Sequence, residues 1–361
     1  MGGKLFEGEK RAFMTGNEAV AWAALAAKAD IMYGYPITPQ NEIMHYWTRL
    51  APKYGKGFLQ TEDEISAGFT TVGGVLSGKR AFTATSGPGH VIMQDSIAMA
   101  EMMRIPIVKV ICQRGGPSTA TVIYSQQETT LTCYGGNGEG IRVVYSTNSH
   151  QELFDYTIKA FNTAWKYRYP TFVLGDGYQS KMREALTLYN PEDRGIEFVP
   201  SQPYLGLEGI AGIDREPVHL RNTYNMEDEL YAVIRELVDS FNKVAPEIVE
   251  YKEMETADSE VLIIAHGVVS RAAEGAVKQL RQEGLKAGTF RPITLRPFPA
   301  QQLRACADRA KKLLVVESAE GQLKKLITDA IYGCTTPIET LFRPGESITV
   351  EEIVASAKAL L

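Results

Sequence analysis

The chain has 361 residues, a formal net charge of −5 and 22% charged side chains. That length accommodates two domains, each with its own core. The mild acidic balance argues against a nucleic-acid surface, and no apolar run approaches the roughly 20 residues that span a bilayer. The start, Met1-Gly2-Gly3-Lys4-Leu5-Phe6-Glu7, has no apolar signal-peptide core and carries Phe6 where a lipidation signal wants Ser or Thr. A cytoplasmic location is the expectation.

Up to Asn190 helical and strand-like segments alternate. Residues 17–28 are Ala-rich and read as a helix with Asn17 as N-cap. Residues 31–35 read as a strand, 40–50 as a helix, 58–61 as a short strand and 64–76 as a Gly-rich helix. The runs 81–85, 107–112 and 171–174 are short, apolar and β-prone, with helices predicted over 90–104 and 151–167. Such alternation predicts an α/β fold with a parallel sheet covered on both faces.

From 191 to 255 the pattern loosens, and only 227–244 reads as a firm helix. This predicts a long wrapping connection. Alternation resumes at Glu260, with strands over 261–265, 286–290 and 313–317 and helices over 270–282 and 322–332. The expected division is therefore 1–190, a connection 191–255, and a smaller α/β domain 256–361.

Three places suit chemistry. In Tyr35-Pro36-Ile37-Thr38-Pro39 two prolines stiffen a loop after a strand, which either fixes the Thr38 hydroxyl at a ligand site or lets Thr38 cap the next helix. Glu64 starts a helix rich in small residues. It is either a desolvated carboxylate with a raised pKa, able to share a proton with a basic ring nitrogen, or simply an acid favoured by the helix dipole, as Glu62 and Asp63 are. Arg114 ends an apolar run and opens Gly115-Gly116-Pro117-Ser118-Thr119. Its guanidinium either grips a carboxylate bidentately or ties the loop to the acids at 62–64.

Other motifs are weaker. Ser86-Gly87-Pro88-Gly89 and Gly115-Gly116-Pro117-Ser118 lack the Lys-Ser/Thr of a phosphate loop, and Gly135 to Gly140 lacks the spacing of a dinucleotide fingerprint. Cys112, Cys133, Cys306 and Cys334 match neither zinc nor iron–sulfur spacing and read as buried free thiols. No metal site is predicted in this chain.

Taken together, Gly16-Asn17-Glu18-Ala19, Gly34-Tyr35-Pro36-Ile37-Thr38-Pro39, Thr83-Ala84-Thr85-Ser86-Gly87-Pro88-Gly89, Gln113-Arg114-Gly115-Gly116-Pro117-Ser118 and Phe290-Arg291-Pro292-Ile293-Thr294-Leu295-Arg296-Pro297-Phe298 resemble the alpha subunit of the 2-oxoacid:ferredoxin oxidoreductases. The resemblance runs in order along nearly the whole chain. It implies a thiamine-enzyme pyrimidine-type domain followed by a transketolase-C-terminal-like α/β domain. It also implies thiamine diphosphate as cofactor, CoA as co-substrate, and oxidative decarboxylation of a 2-oxo acid to an acyl-CoA.

By the same resemblance Glu64 would hydrogen-bond the aminopyrimidine ring and favour the imino form that deprotonates the thiazolium carbon. Tyr35, Pro36 and Ile37 would flank the cofactor. Thr38 would meet the substrate oxygen and Arg114 its carboxylate. Gly175-Asp176-Gly177 copies the opening of the thiamine diphosphate–magnesium motif, but 199–206 lacks the Asn that completes it. The diphosphate and Mg2+ are therefore expected on a partner beta subunit. Iron–sulfur clusters would sit in iron–sulfur and gamma-type partner subunits, which pass electrons to ferredoxin or another acceptor.

Two departures bear on the substrate. The run Ala120-Thr121-Val122-Ile123-Tyr124-Ser125 is more apolar than in 2-oxoglutarate-type relatives, which favours a branched-chain or aromatic 2-oxo acid with Tyr124 as a substrate contact. Asn137 stands where relatives often carry His. The rival readings are the beta subunit of a lipoamide-linked 2-oxo-acid dehydrogenase and a non-catalytic assembly subunit.

Overall fold

The computed structural model describes residues 4–205 and 218–360. The chain start at 1–3 and residues 206–217 of the expected connection lie outside the described residues. The N-terminal half forms β1 (Lys10–Thr15), β2 (Ile31–Gly34), β3 (Gly57–Gln60), β4 (Ala81–Thr85), β5 (Val108–Gln113), β6 (Val143–Ser146), β7 (Thr171–Asp176) and β8 (Arg183–Leu188). The remainder forms β9 (Tyr251–Met254), β10 (Val261–Ile264), β11 (Ala287–Pro292), β12 (Thr294–Arg296), β13 (Lys312–Glu317) and β14 (Ile338–Phe342).

A seven-stranded sheet in the order β12-β6-β7-β5-β4-β2-β3 is parallel except at β12. A five-stranded sheet in the order β14-β13-β10-β11-β9 is parallel except at β9. Strands β1 and β8 pair antiparallel as a separate ribbon. The architecture is α/β, as the alternation predicts.

Every residue of β4, β5 and β7 is buried, which explains their near-continuous apolar runs: helices cover both faces. On one face Trp47, Phe82 and Phe161 pack edge to face, with ring centroids 4.9 and 5.9 Å apart. On the other, Val72, Val75 and Ile97 join a cluster that continues into Leu262, Ile264 and Phe290 of the second sheet. The junction between the sheets also has a polar layer. Arg291 Nη1 donates to Glu152 Oε1 at 2.9 Å, Gln126 Nε2 to the His266 carbonyl at 2.9 Å, and Ser318 N to Gln126 Oε1 at 2.9 Å.

Several elements differ from the sequence reading. The first helix is Gly16–Ala26, and Thr15 rather than Asn17 is its N-cap, accepting from Glu18 N at 3.2 Å. Asn17 is buried and instead donates to the Pro39 carbonyl at 2.8 Å. The helix expected over 90–104 is two, Pro88–Ile92 and Gln94–Met102, separated at Met93. Strand β9, from the stretch read as connection, edges the second sheet, and β12, which follows the second unit's β11, adds to the first. The helix expected over 227–244 runs Glu227–Ile248. Cys112, Cys133 and Cys306 are buried free thiols, and Cys334 is half-buried.

Candidate active site

The order β5-β4-β2-β3 places the carboxyl ends of four parallel strands side by side. The Tyr35–Pro39 loop follows β2, Glu64 lies just beyond β3, the Ser86–Gly89 turn follows β4 and Arg114 follows β5. Open parallel sheets bind ligands at this edge because the strand-to-helix loops collect there.

The 35–39 loop is pinned from behind. Gln40 Nε2 donates to the Tyr35 carbonyl at 2.9 Å, and Asn17 holds the Pro39 carbonyl. Thr38 does not cap the next helix: Asn41–Leu50 has Gln40 as N-cap, without a side-chain bond. The Thr38 hydroxyl makes no hydrogen bond among the described residues, while its carbonyl accepts from Arg114 Nη1 at 2.8 Å. Tyr35 and Ile37 are half-buried, and Pro36 is exposed.

Glu64 is the first residue of helix Glu64–Leu76, with Asp63 as N-cap accepting from Ser66 N at 2.7 Å. Only 6% of Glu64 is exposed. Burial pushes its carboxyl above the ordinary value; its own backbone N–H and the cations Lys109 and Arg114 oppose that rise. The carboxylate rests against the β4 turn: a Cβ added at Gly89 would lie 2.3 Å from Glu64 Oε1. Only a residue without a side chain fits there.

Arg114 is buried, and among the described residues it forms no ion pair, so the tie to the acids at 62–64 is not made. Its Nε is buried without a hydrogen-bond partner among the described residues. Gly87, at φ +51°, lies beneath it; an added Cβ would come within 2.6 Å of Nε. Gly87 and Gly89 are thus the floor on which Arg114 and Glu64 meet, and Arg114 carries the contact on to Thr38. The structure brings these three together.

Tyr124 is not part of that group. It is 3% exposed, stacks on Tyr178 with ring centroids 4.4 Å apart, and packs with Val261, Ile263 and Ala265. Tyr178 covers one face of its ring, and the chain turns inward at residue 124 to dock on the second sheet. The solvent-facing apolar side chains of the same loop are Val122 and Ile123, the latter 54% exposed. Asp176 is buried and caps helix Gly177–Lys181 through Gln179 N at 3.0 Å.

Sequence reasoning passed over three buried groups behind the site. Glu128 contacts Gly87, His90 and Arg114. Lys109 is fully buried, its Nζ has no hydrogen-bond partner among the described residues, and burial holds its ammonium well below the usual lysine value against the pull of Glu128 and Glu64. His90 is also fully buried, and its Nε2 has no hydrogen-bond partner among the described residues. One signal was available: a lysine inside an apolar strand of a sheet covered on both faces marks a buried charge.

Residues 22–253 match the pyruvate flavodoxin/ferredoxin oxidoreductase, thiamine diphosphate-binding family, and residues 259–353 match core domain II of pyruvate:ferredoxin oxidoreductase. The chain is 36% identical to the 2-oxoglutarate synthase subunit KorA of Methanocaldococcus jannaschii, over 86% of this chain and 89% of the relative. It is 34% identical to the ketoisovalerate oxidoreductase subunit VorB of Methanothermobacter marburgensis, over 92% of this chain and 93% of the relative. Among solved structures, a 2-oxoglutarate:ferredoxin oxidoreductase from Magnetococcus marinus, with 2-oxoglutarate, coenzyme A and succinyl-CoA bound, superposes at a TM-score of 0.87 and 26% identity. That match covers 97% of this chain and 65% of the other. A split gene transketolase shares the fold at a TM-score of 0.60 and 14% identity.

Proposed function

Since the chain belongs to the pyruvate flavodoxin/ferredoxin oxidoreductase family, we propose that it is the alpha subunit of a 2-oxoacid:acceptor oxidoreductase. The complex would oxidatively decarboxylate a 2-oxo acid with CoA to an acyl-CoA and CO2. Electrons would leave through iron–sulfur partner subunits to ferredoxin or another acceptor. The observation that carries this reading is the convergence of Glu64, Arg114 and Thr38 on the Gly87–Gly89 floor.

The residues fit thiamine diphosphate, which when bound supplies the carbon nucleophile that attacks the 2-oxo group. Gly87 and Gly89 carry no side chains, which leaves the room that Arg114 and Glu64 occupy above the turn. Glu64, desolvated and resistant to ionisation, is suited to hold a proton at a basic ring nitrogen. Tyr35, Pro36 and Ile37 offer the flank beside it. Arg114, buried and in no ion pair among the described residues, is suited to grip the substrate carboxylate, and the Thr38 hydroxyl, unengaged among the described residues, to meet the substrate oxygen. A separate beta subunit would hold the diphosphate and Mg2+, so catalysis would occur where the two chains meet. The same proposal keeps 1–190 as the cofactor-facing domain, 191–255 as the connection and 256–361 as the second domain.

For the substrate, the exposed Val122 and Ile123 and the lack of Lys or Arg from Gly115 to Gln127 support an apolar or aromatic 2-oxo acid. A second reading, 2-oxoglutarate, is supported by the KorA relative. Purified complex would be assayed for CoA-dependent reduction of ferredoxin or a viologen with pyruvate, 2-oxoglutarate, a branched-chain 2-oxo acid and phenylglyoxylate. A higher kcat/KM for 2-oxoglutarate would overturn the apolar assignment. Strict dependence on a lipoyl carrier would instead favour the dehydrogenase reading, and an assembled complex whose turnover ignores Glu64 would favour an assembly role.

A further inference from the structure

Glu128 lies between two turns that the sequence separates. Its Oε1 accepts from Gly87 N at 2.9 Å and from Arg114 N at 3.0 Å, and its Oε2 meets His90 Nδ1 at 3.1 Å. Gly87 begins the turn whose Gly89 backs Glu64, and Arg114 carries the guanidinium that reaches Thr38. One carboxylate therefore ties together the backbones that present the acid and the cation. Burying a carboxylate is costly unless its oxygens are satisfied, and here both oxygens are engaged. The charges facing it are Lys109 from β5 and Arg114 from the following turn, with Arg142 and Glu64 next to Lys109. Burial still pushes the Glu128 carboxyl up to about 7.

We propose that Glu128 is a positioning residue for the reaction: it fixes the separation between the Gly87–Gly89 turn and the Arg114 turn, so that Glu64 at the cofactor ring and Arg114 at the substrate carboxylate are held in register. No bond is made or broken at Glu128. The proposal rests on the oxidoreductase reading for its kinetic part, while the geometry it asserts is independent of that reading. The Arg114 loop also has a second support, because Gln127 Oε1 accepts from Gly116 N at 3.1 Å.

The test compares Glu128→Ala, Glu128→Asp and Glu128→Gln in the assembled, cofactor-loaded complex. Amide hydrogen exchange over peptides containing Gly87 and Arg114 is read beside the split between KM and kcat for the 2-oxo acid. Alanine offers no acceptor, and aspartate is one methylene short of reaching both turns. Both variants should lose amide protection at Gly87 or Arg114 and raise KM by about tenfold, the size expected for a lost charged hydrogen bond. Glutamine keeps an oxygen acceptor in place and should restore protection and KM. Wild-type protection and KM in the aspartate variant would overturn the proposal, and that variant decides the matter if the alanine complex does not assemble. Failure of the oxidoreductase reading would show differently, as a wild-type complex without 2-oxo-acid-dependent reduction whose exchange pattern still depends on Glu128.

Discussion

Arg114 Nη1 donates to the Thr38 carbonyl at 2.8 Å, joining a residue after β5 to one after β2 across the intervening β4. The contact aligns two loops that lie 76 positions apart in the chain. It leaves the Thr38 hydroxyl and Arg114 Nε without hydrogen-bond partners among the described residues. Arg114→Lys keeps the charge but loses the planar fork. It should raise KM for the 2-oxo acid about ten- to a hundredfold, with a smaller change in kcat, in steady-state assays of the complex. An unchanged KM would remove Arg114 from the substrate site.

Gly89 tests the floor directly. A Cβ there would sit 2.3 Å from Glu64 Oε1 and 2.5 Å from Thr85 Oγ1, both fixed by buried surroundings. Gly89→Ala should displace the Glu64 carboxylate and lower kcat by about a hundredfold, since misplacing a proton-transfer group by an ångström costs that much. A crystal structure of the variant complex would show whether the carboxylate has moved.

The alternation of strands and helices, the Pro-stiffened 35–39 loop and the acid at the start of the 64–76 helix were legible in the sequence because their signals are local. Prolines and glycines punctuate, apolar runs mark buried strands, and Asp63 precedes its helix. What stayed hidden depends on distant partners. Nothing near Lys10 announces its pairing with Leu188, and nothing near Thr294 announces that β12 crosses to Tyr145 of the first sheet. Glu128 gains its meaning only from Gly87 and Arg114. The packing of Tyr124 into a core stayed hidden because an apolar loop reads the same whether its side chains face a ligand or another core.

The junction between the sheets should be acid-labile. His266 is fully buried, with Nδ1 2.9 Å from Ser146 Oγ, and burial lowers its pKa to about 3. The folded state thus binds its proton less tightly than the unfolded chain. The stabilisation is complete above about pH 6.5 and is lost as pH falls toward 3, on the order of 1 kcal/mol per pH unit within that window. Replacing His266 with Asn should flatten this part of the pH–stability curve, measured by thermal unfolding of the complex between pH 4 and pH 8. A curve that keeps its wild-type slope would show that His266 does not set it.

Everything proposed for catalysis turns on the carboxyl of Glu64. The most direct measurement is turnover of the purified, cofactor-loaded complex carrying Glu64→Gln, with 2-oxo acid and CoA present and reduction of ferredoxin or a viologen as the readout. Glutamine preserves the shape of the side chain but cannot hold and release the proton. Turnover should fall by about 10² or more while the complex and its cofactor content stay intact. Wild-type turnover in that variant would contradict the account.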